Sequence, residues 1–315
     1  TGLNQGKGIG IANEFTLSAS GETDQGIAWA YAQDIDGATV QDDAKLTFTM
    51  PTYGTVGLFV SEGGLSAKYK WNVTTYAPGS DYGLTGTSAA THDTGAVNPK
   101  FTNGDDIGGF NNVQYHTPSG LLPYGTSIKV AYAPNTSANA NSSSNAAGGA
   151  SPADVDGTSA KQILVETAPL DGLNLAASYF VREDAPIAQR NNYETYSASA
   201  KYAYGPVSVG YNQTHVVPSV TKAQITIFNK YYTNKAMGIG FNVNDNLSLS
   251  FSEEKSEANQ NTLSDTGTGR TKTEVETTIT ALQAAYTMGG MTMSVSTKDI
   301  ENMDYALNED GNETV

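Results

Sequence analysis

The 315 residues contain no cysteine. That excludes disulfide frameworks, zinc–thiolate sites and thiol nucleophiles. Long apolar runs are missing as well. No stretch approaches the roughly 18 consecutive apolar residues that mark a transmembrane helix. Cations are scarce: 17 Lys and Arg stand against 32 Asp and Glu, a formal net charge of -15. Neutralising phosphates needs the opposite balance, so nucleic acid is excluded as a partner. Acidity on this scale suits solvated loops, attraction of cations, or carboxylates bridged by divalent ions. Apolar residues make up only 38% of the chain, little for a soluble core of this length. A wide barrel needs less, because its interior can be water and only alternate strand residues must be greasy. The opening residues, Thr1 to Asn4, carry no signal-peptide features. Any export signal is therefore expected outside this numbering.

What the chain does contain is alternation. Tyr196, Ala198, Ala200, Tyr202 and Tyr204 lead into Gly205-Pro206, and Val207, Val209 and Tyr211 follow. Ser197, Ser199, Lys201, Ser208, Gly210 and Asn212 fill the positions between. One face is apolar and aromatic, the other small or polar. Seven such hairpins are expected. They cover Ile9–Ser20 with Gly26–Asp34, Asp43–Met50 with Thr55–Ser61, and Asn112–Thr117 with Thr126–Pro134. Gln162–Ala168 with Leu173–Arg182 comes next, then the pair just described. Lys235–Val243 with Leu247–Ser252 and Thr278–Thr287 with Met291–Thr297 complete the set. Short turns rich in Gly, Pro, Asn and Asp join the members of each pair. Long connections separate the pairs: Asp34–Asp42, Glu62–Gly109, Asn135–Thr158, Glu183–Asn192, Val216–Asn234 and Glu253–Lys272. All turns then lie at one end and all long loops at the other. The fold class read from this is all-β, a transmembrane antiparallel up-and-down β-barrel in a single domain, 1–315.

A β-sandwich also alternates, so the choice of lipid rests on further detail. The polar face carries Lys45, Lys129, Arg182, Lys201 and Lys298, more cations than a dry core accepts. Aromatic residues gather near the turns at Tyr53, Tyr124, Tyr204, Phe241 and Tyr286, as in the girdles at a membrane interface. Closure is also forced in lipid, where an open edge leaves backbone groups unsatisfied.

With these features the chain resembles a Gram-negative general porin, especially the alphaproteobacterial kind. Asp43–Met50, its turn and Val56–Gly64 look like the strand pair ahead of the long third loop in that family. Asn111–Tyr115 looks like the strand that resumes after it. The resemblance implies a homotrimer of water-filled barrels in the bacterial outer membrane, among outer-membrane lipid and lipopolysaccharide. It implies sixteen strands where fourteen are read here, with one strand expected before Ile9 and one after Val315; the alternative is a true fourteen-stranded barrel. Asn312–Val315 itself reads as an acidic, loop-like stretch. The resemblance further implies that the third loop, 62–109, folds into the pore and sets its width. Its acids Asp81, Asp93, Asp105 and Asp106 would face Lys45 and Lys129 on the wall, with Lys201 and Arg182 more distant.

No catalytic constellation emerges, and no enzyme activity is expected. His92, His116 and His215 are scattered without metal-ligand spacing. Asp154 and Asp156 echo part of a calcium loop but lack its closing Glu, so no cofactor is expected beyond weak calcium binding there. The function expected is passive diffusion of small hydrophilic solutes and ions, with a mild cation preference taken from the net charge. Two alternatives share the composition: a secreted or surface-layer structural protein with calcium-bridged acidic loops, and a substrate-specific outer-membrane channel.

Overall fold

Alternating segments become strands only when neighbours supply the hydrogen bonds. Here each strand pairs antiparallel with the next in chain order, and all fifteen join one sheet. The computed structural model describes residues 14–36, 43–73, 103–136, 159–183, 191–219, 231–263, 270–289, 291–302 and 310–314. The strands are β1 (Glu14–Glu22), β2 (Ala28–Asp36), β3 (Ala44–Met50), β4 (Gly54–Val60) and β5 (Asn112–His116). Next come β6 (Ser127–Ala133), β7 (Ser159–Leu170), β8 (Leu173–Glu183), β9 (Tyr193–Tyr204) and β10 (Val207–Val217). β11 (Tyr232–Asn242), β12 (Leu247–Leu263), β13 (Arg270–Met288), β14 (Met291–Glu301) and β15 (Gly311–Thr314) finish the order. Among the described residues β1 pairs with β2 alone and β15 with β14 alone.

All fourteen strands expected from the alternation form, and the structure adds a fifteenth and lengthens β12 and β13. The tail read as a loop forms a strand at 311–314, paired with Thr297–Ile300 of β14. The connection placed at Glu253–Lys272 is mostly strand, because β12 runs on to Leu263 and β13 starts at Arg270. The first strand is described from Glu14, and the residues ahead of it lie outside those described.

The register separates the two faces cleanly. In β9 and β10, Ser197, Ser199, Asn212 and Thr214 are buried on the inner face, while Tyr196, Tyr202, Val209 and Tyr211 are exposed on the outer. β11 and β12 repeat this, with Asn234, Ser250, Ser252 and Ser256 inside and Met237, Ile239, Leu249 and Phe251 outside. Water would drive those apolar side chains inward. Their exposure as a continuous belt is the arrangement that hydrocarbon stabilises. Tyr53, Tyr124 and Tyr204 stand 70%, 70% and 76% exposed beside the turns.

One cross-strand rung of the outer face marks where the belt stops. Met237, Glu253, Thr280 and Asp299 lie side by side across β11–β14. Toward the turns the next rungs hold Ile239, Phe251 and Leu282, then Phe241 and Leu249. Away from the turns come Lys235, Lys255 and Glu301. Lys255 approaches Glu253 at 3.5 Å and Glu276 at 3.7 Å.

Candidate functional site

The interior positions of a wide barrel should be small or polar. β7–β11 break that rule at Leu164, Phe180, Tyr193, Val216 and Tyr232, which are buried on the inner face. What covers them is the connection between β4 and β5, described at 61–73 and 103–111. Its Leu65, Ala67, Ile107 and Phe110 share one apolar cluster with these wall residues. Phe110 stacks on Phe180 with ring centroids 6.3 Å apart and planes 3° apart. Tyr193 meets the same ring edge-on at 6.3 Å. The loop is thus held inside the barrel by a small dry core, a local exception in a polar bore.

Polar contacts complete the attachment. On the outgoing limb, the Ala67 N–H donates to Ser178 Oγ (2.8 Å) of β8. Lys201 Nζ of β9 donates to the Asn72 carbonyl (2.9 Å). On the returning limb, the Ile107 N–H donates to Gln162 Oε1 (2.7 Å) of β7. Arg182 of β8 lies 3.3 Å from Asp105 and 5.0 Å from the centre of the Tyr193 ring. The Asp105 N–H donates to the Tyr193 hydroxyl (3.2 Å). The two limbs also hold each other. Lys68 Nζ donates to the Gly104 carbonyl, and Asn112 Nδ2 donates to the carbonyls of Glu62 (3.1 Å) and Phe110 (2.8 Å). Buried polar groups are costly unless bonded, and these contacts meet that demand.

The structure distributes the candidate residues unequally. Asp105 meets Arg182, a wall cation that sequence reasoning placed farther away. Asp106 instead caps the 3₁₀ turn Ile107–Gly109, where its Oδ1 accepts from the Gly108 N–H (2.9 Å). Lys45 reaches Glu62 (3.4 Å) at the start of the loop. Among the described residues Lys129 meets no loop acid. It pairs with Glu166 of β7 (2.8 Å), and Lys70 of the loop binds the same carboxylate at 3.0 Å. There the expected polarity is reversed, with the cation on the loop and the acid on the wall. Lys201 serves the Asn72 carbonyl. Asp81, Asp93, Asp154 and Asp156 lie outside the described residues.

Sequence reasoning missed Lys68, Lys70, Trp71 and Glu166. Glu166 was legible in principle, because it continues the inward series Gln162, Leu164 in β7. Among the described residues no three His, Asp or Glu side chains gather to hold a metal ion. His116 contacts Gln114 Oε1 at 2.8 Å, and His215 contacts Thr233 Oγ1 at 3.3 Å.

No family model matches the sequence, and no curated protein matches it. Solved structures do match in shape. The anion-selective porin from Comamonas acidovorans aligns over 92% of this chain and 79% of its own, at 10% identity and a TM-score of 0.60. Salmonella typhi OmpF, solved with daunomycin, aligns over 96% and 88%, at 14% identity and a TM-score of 0.56. The trimer form of Vibrio cholerae OmpT, an outer membrane protein, aligns over 96% and 87%, at 11% identity and a TM-score of 0.54. A polar bore, an apolar outer belt and a loop packed against the inner wall are thus found on a chain whose fold is that of the outer-membrane porins.

Proposed function

We propose that this protein is a bacterial outer-membrane channel for passive diffusion of small hydrophilic solutes and ions. The observation that carries the reading is the inverted distribution of side chains, apolar outside and polar inside, with a loop fixed in the bore. That arrangement leaves a water path whose width the loop controls. Catalysis has no role in it.

Charge sets a mild cation preference in this reading. The ion pairs Lys45–Glu62 and Arg182–Asp105 are balanced, and Glu166 answers Lys70 and Lys129 together. With Lys68, Lys201 and Asp106 added, the described constriction holds six cations against four acids, so the preference rests on the acids of the rest of the chain, which bring the total to -15. A porin of similar fold is described as anion-selective, so the fold leaves the sign open and this chain's own charges decide it. The barrel works as a homotrimer bordered by outer-membrane lipid and lipopolysaccharide. That assembly has support in the trimer form of a protein with the same fold.

Reconstitution into a planar bilayer tests the reading. Stepwise conductance is expected, with a reversal potential under a KCl gradient that shows K⁺ passing more readily than Cl⁻. Absence of steps would sink the channel, and anion preference would sink the charge argument alone. A surface-layer role is separated by extraction: chelator would release an array protein, whereas the channel comes out only with detergent.

A further inference from the structure

Among the inward glycines of the wall, three lie against the loop: Gly210 of β10 and Gly238 and Gly240 of β11. Gly210 stands opposite Gly238, and Gly240 opposite Ser208, in the β10–β11 ladder. Glycine weakens a strand interior, and its presence there often marks the close approach of another backbone. Here the approaching backbone is the loop at Trp71–Val73. A Cβ on Gly210 would lie 1.9 Å from the Trp71 carbonyl oxygen. A Cβ on Gly240 would lie 2.5 Å from the Val73 carbonyl oxygen. A Cβ on Gly238 would lie 2.9 Å from Cζ3 of the Trp71 ring. Between these contacts, Lys201, the β9 partner of Gly210, donates to the Asn72 carbonyl. Three consecutive loop carbonyls therefore lie against one patch of wall, and Trp71 is only 3% exposed.

We propose that Gly210, Gly238 and Gly240 form a bare track that lets the loop backbone lie flat on the wall, and that this depth of seating sets the bore. The inference rests on the channel reading above. A methyl group on the track lifts Trp71–Val73 away from the wall, toward the water path. Phe110 and Asp105 hold the returning limb to β8. The three glycines act as positioning residues and touch no solute.

Alanine substitution at each glycine tests the track, read in two independent ways. Single-channel conductance is expected to fall about twofold in Gly210→Ala, less in Gly240→Ala and least in Gly238→Ala. The order follows from what each methyl meets: backbone oxygen at the first two, and a ring edge that can turn at the third. Trp71 emission gives the second readout, in a Trp29→Phe background where Trp71 is the sole remaining tryptophan of the two. Its emission should shift to the red in the same order as the ring leaves its seat. Should Gly210→Ala fail to fold in detergent, the milder Gly240→Ala and Gly238→Ala carry both measurements. Folded variants with wild-type or raised conductance and unshifted emission would overturn the proposal. A silent wild-type protein would instead sink the channel reading, and the emission series would still report whether the track seats the loop.

Discussion

On β7–β11 the inward side chains include Leu164, Phe180, Tyr193, Val216 and Tyr232, all buried. On β1 and β2 the inward positions include Thr16, Ser18, Ser20, Ala28, Ala30 and Ala32, beside the acids Glu22 and Asp34, and water reaches each of the small ones. Both walls follow the same alternation, so the periodicity that builds the barrel does not decide where its lumen is blocked. Residue size decides it. Large apolar groups on one wall make a dry foothold for the loop, and small ones on the other leave the passage clear. Loop residues gain burial only where the wall offers apolar area, roughly 25 cal/mol per Å².

Removing the foothold should have the largest effect. Phe180→Ala deletes the ring between Phe110 and Tyr193 and should weaken the loop's attachment by about 3 kcal/mol. Raised single-channel conductance and rapid proteolysis of the loop are expected. A barrel that conducts as before would show that Phe180 does not hold the constriction. Arg182→Ala should be milder. It leaves Asp105 facing the wall without its guanidinium, at a cost of about 1–3 kcal/mol to the returning limb. Urea titration followed by loop protection would register it, and full protection at wild-type urea concentrations would count against the pair.

Glu166→Gln sharpens the electrical side. Lys70 and Lys129 lose the carboxylate they share, and two cations then face the bore. The reversal potential under a salt gradient should move toward anions, with little change in conductance. An unmoved potential would place the ion path away from Glu166. The smallest effect belongs to the open wall. Ala30→Ser adds a hydroxyl where water already stands, so stability should change by no more than about 0.5 kcal/mol. Heat-modified gel mobility would check this, and a large loss would mean that Ala30 is packed against something.

Most of the sheet was legible because lipid imposes contrast between neighbouring residues. Where that contrast fades, sequence reasoning stopped short. In β12, Glu253, Lys255 and Glu257 alternate with Glu254, Ser256 and Ala258, so the period of two persists without an apolar face. Strand structure there is held by the ladder to β13. β15 was missed for the same reason, since Gly311–Thr314 offers no apolar residue. The loop's inward fold came from family resemblance. Its attachment was written in the departures from a polar lumen at Leu164 and Phe180, and in the glycines at 210, 238 and 240. Taken one strand at a time, those residues look like ordinary variation. They acquire meaning only when neighbouring strands are set in register.

The rung Met237–Glu253–Thr280–Asp299 has a consequence for the bilayer itself. On β13 the greasy stretch from that rung to the turn runs from Leu282 to Met288, about 20 Å along a strand. Strand tilt shortens it further across the sheet. Glu253 and Asp299 act as floats that keep the barrel from sinking deeper, so the surrounding lipid must thin to meet them. Short-chain lipids should accept this protein more readily than long-chain ones.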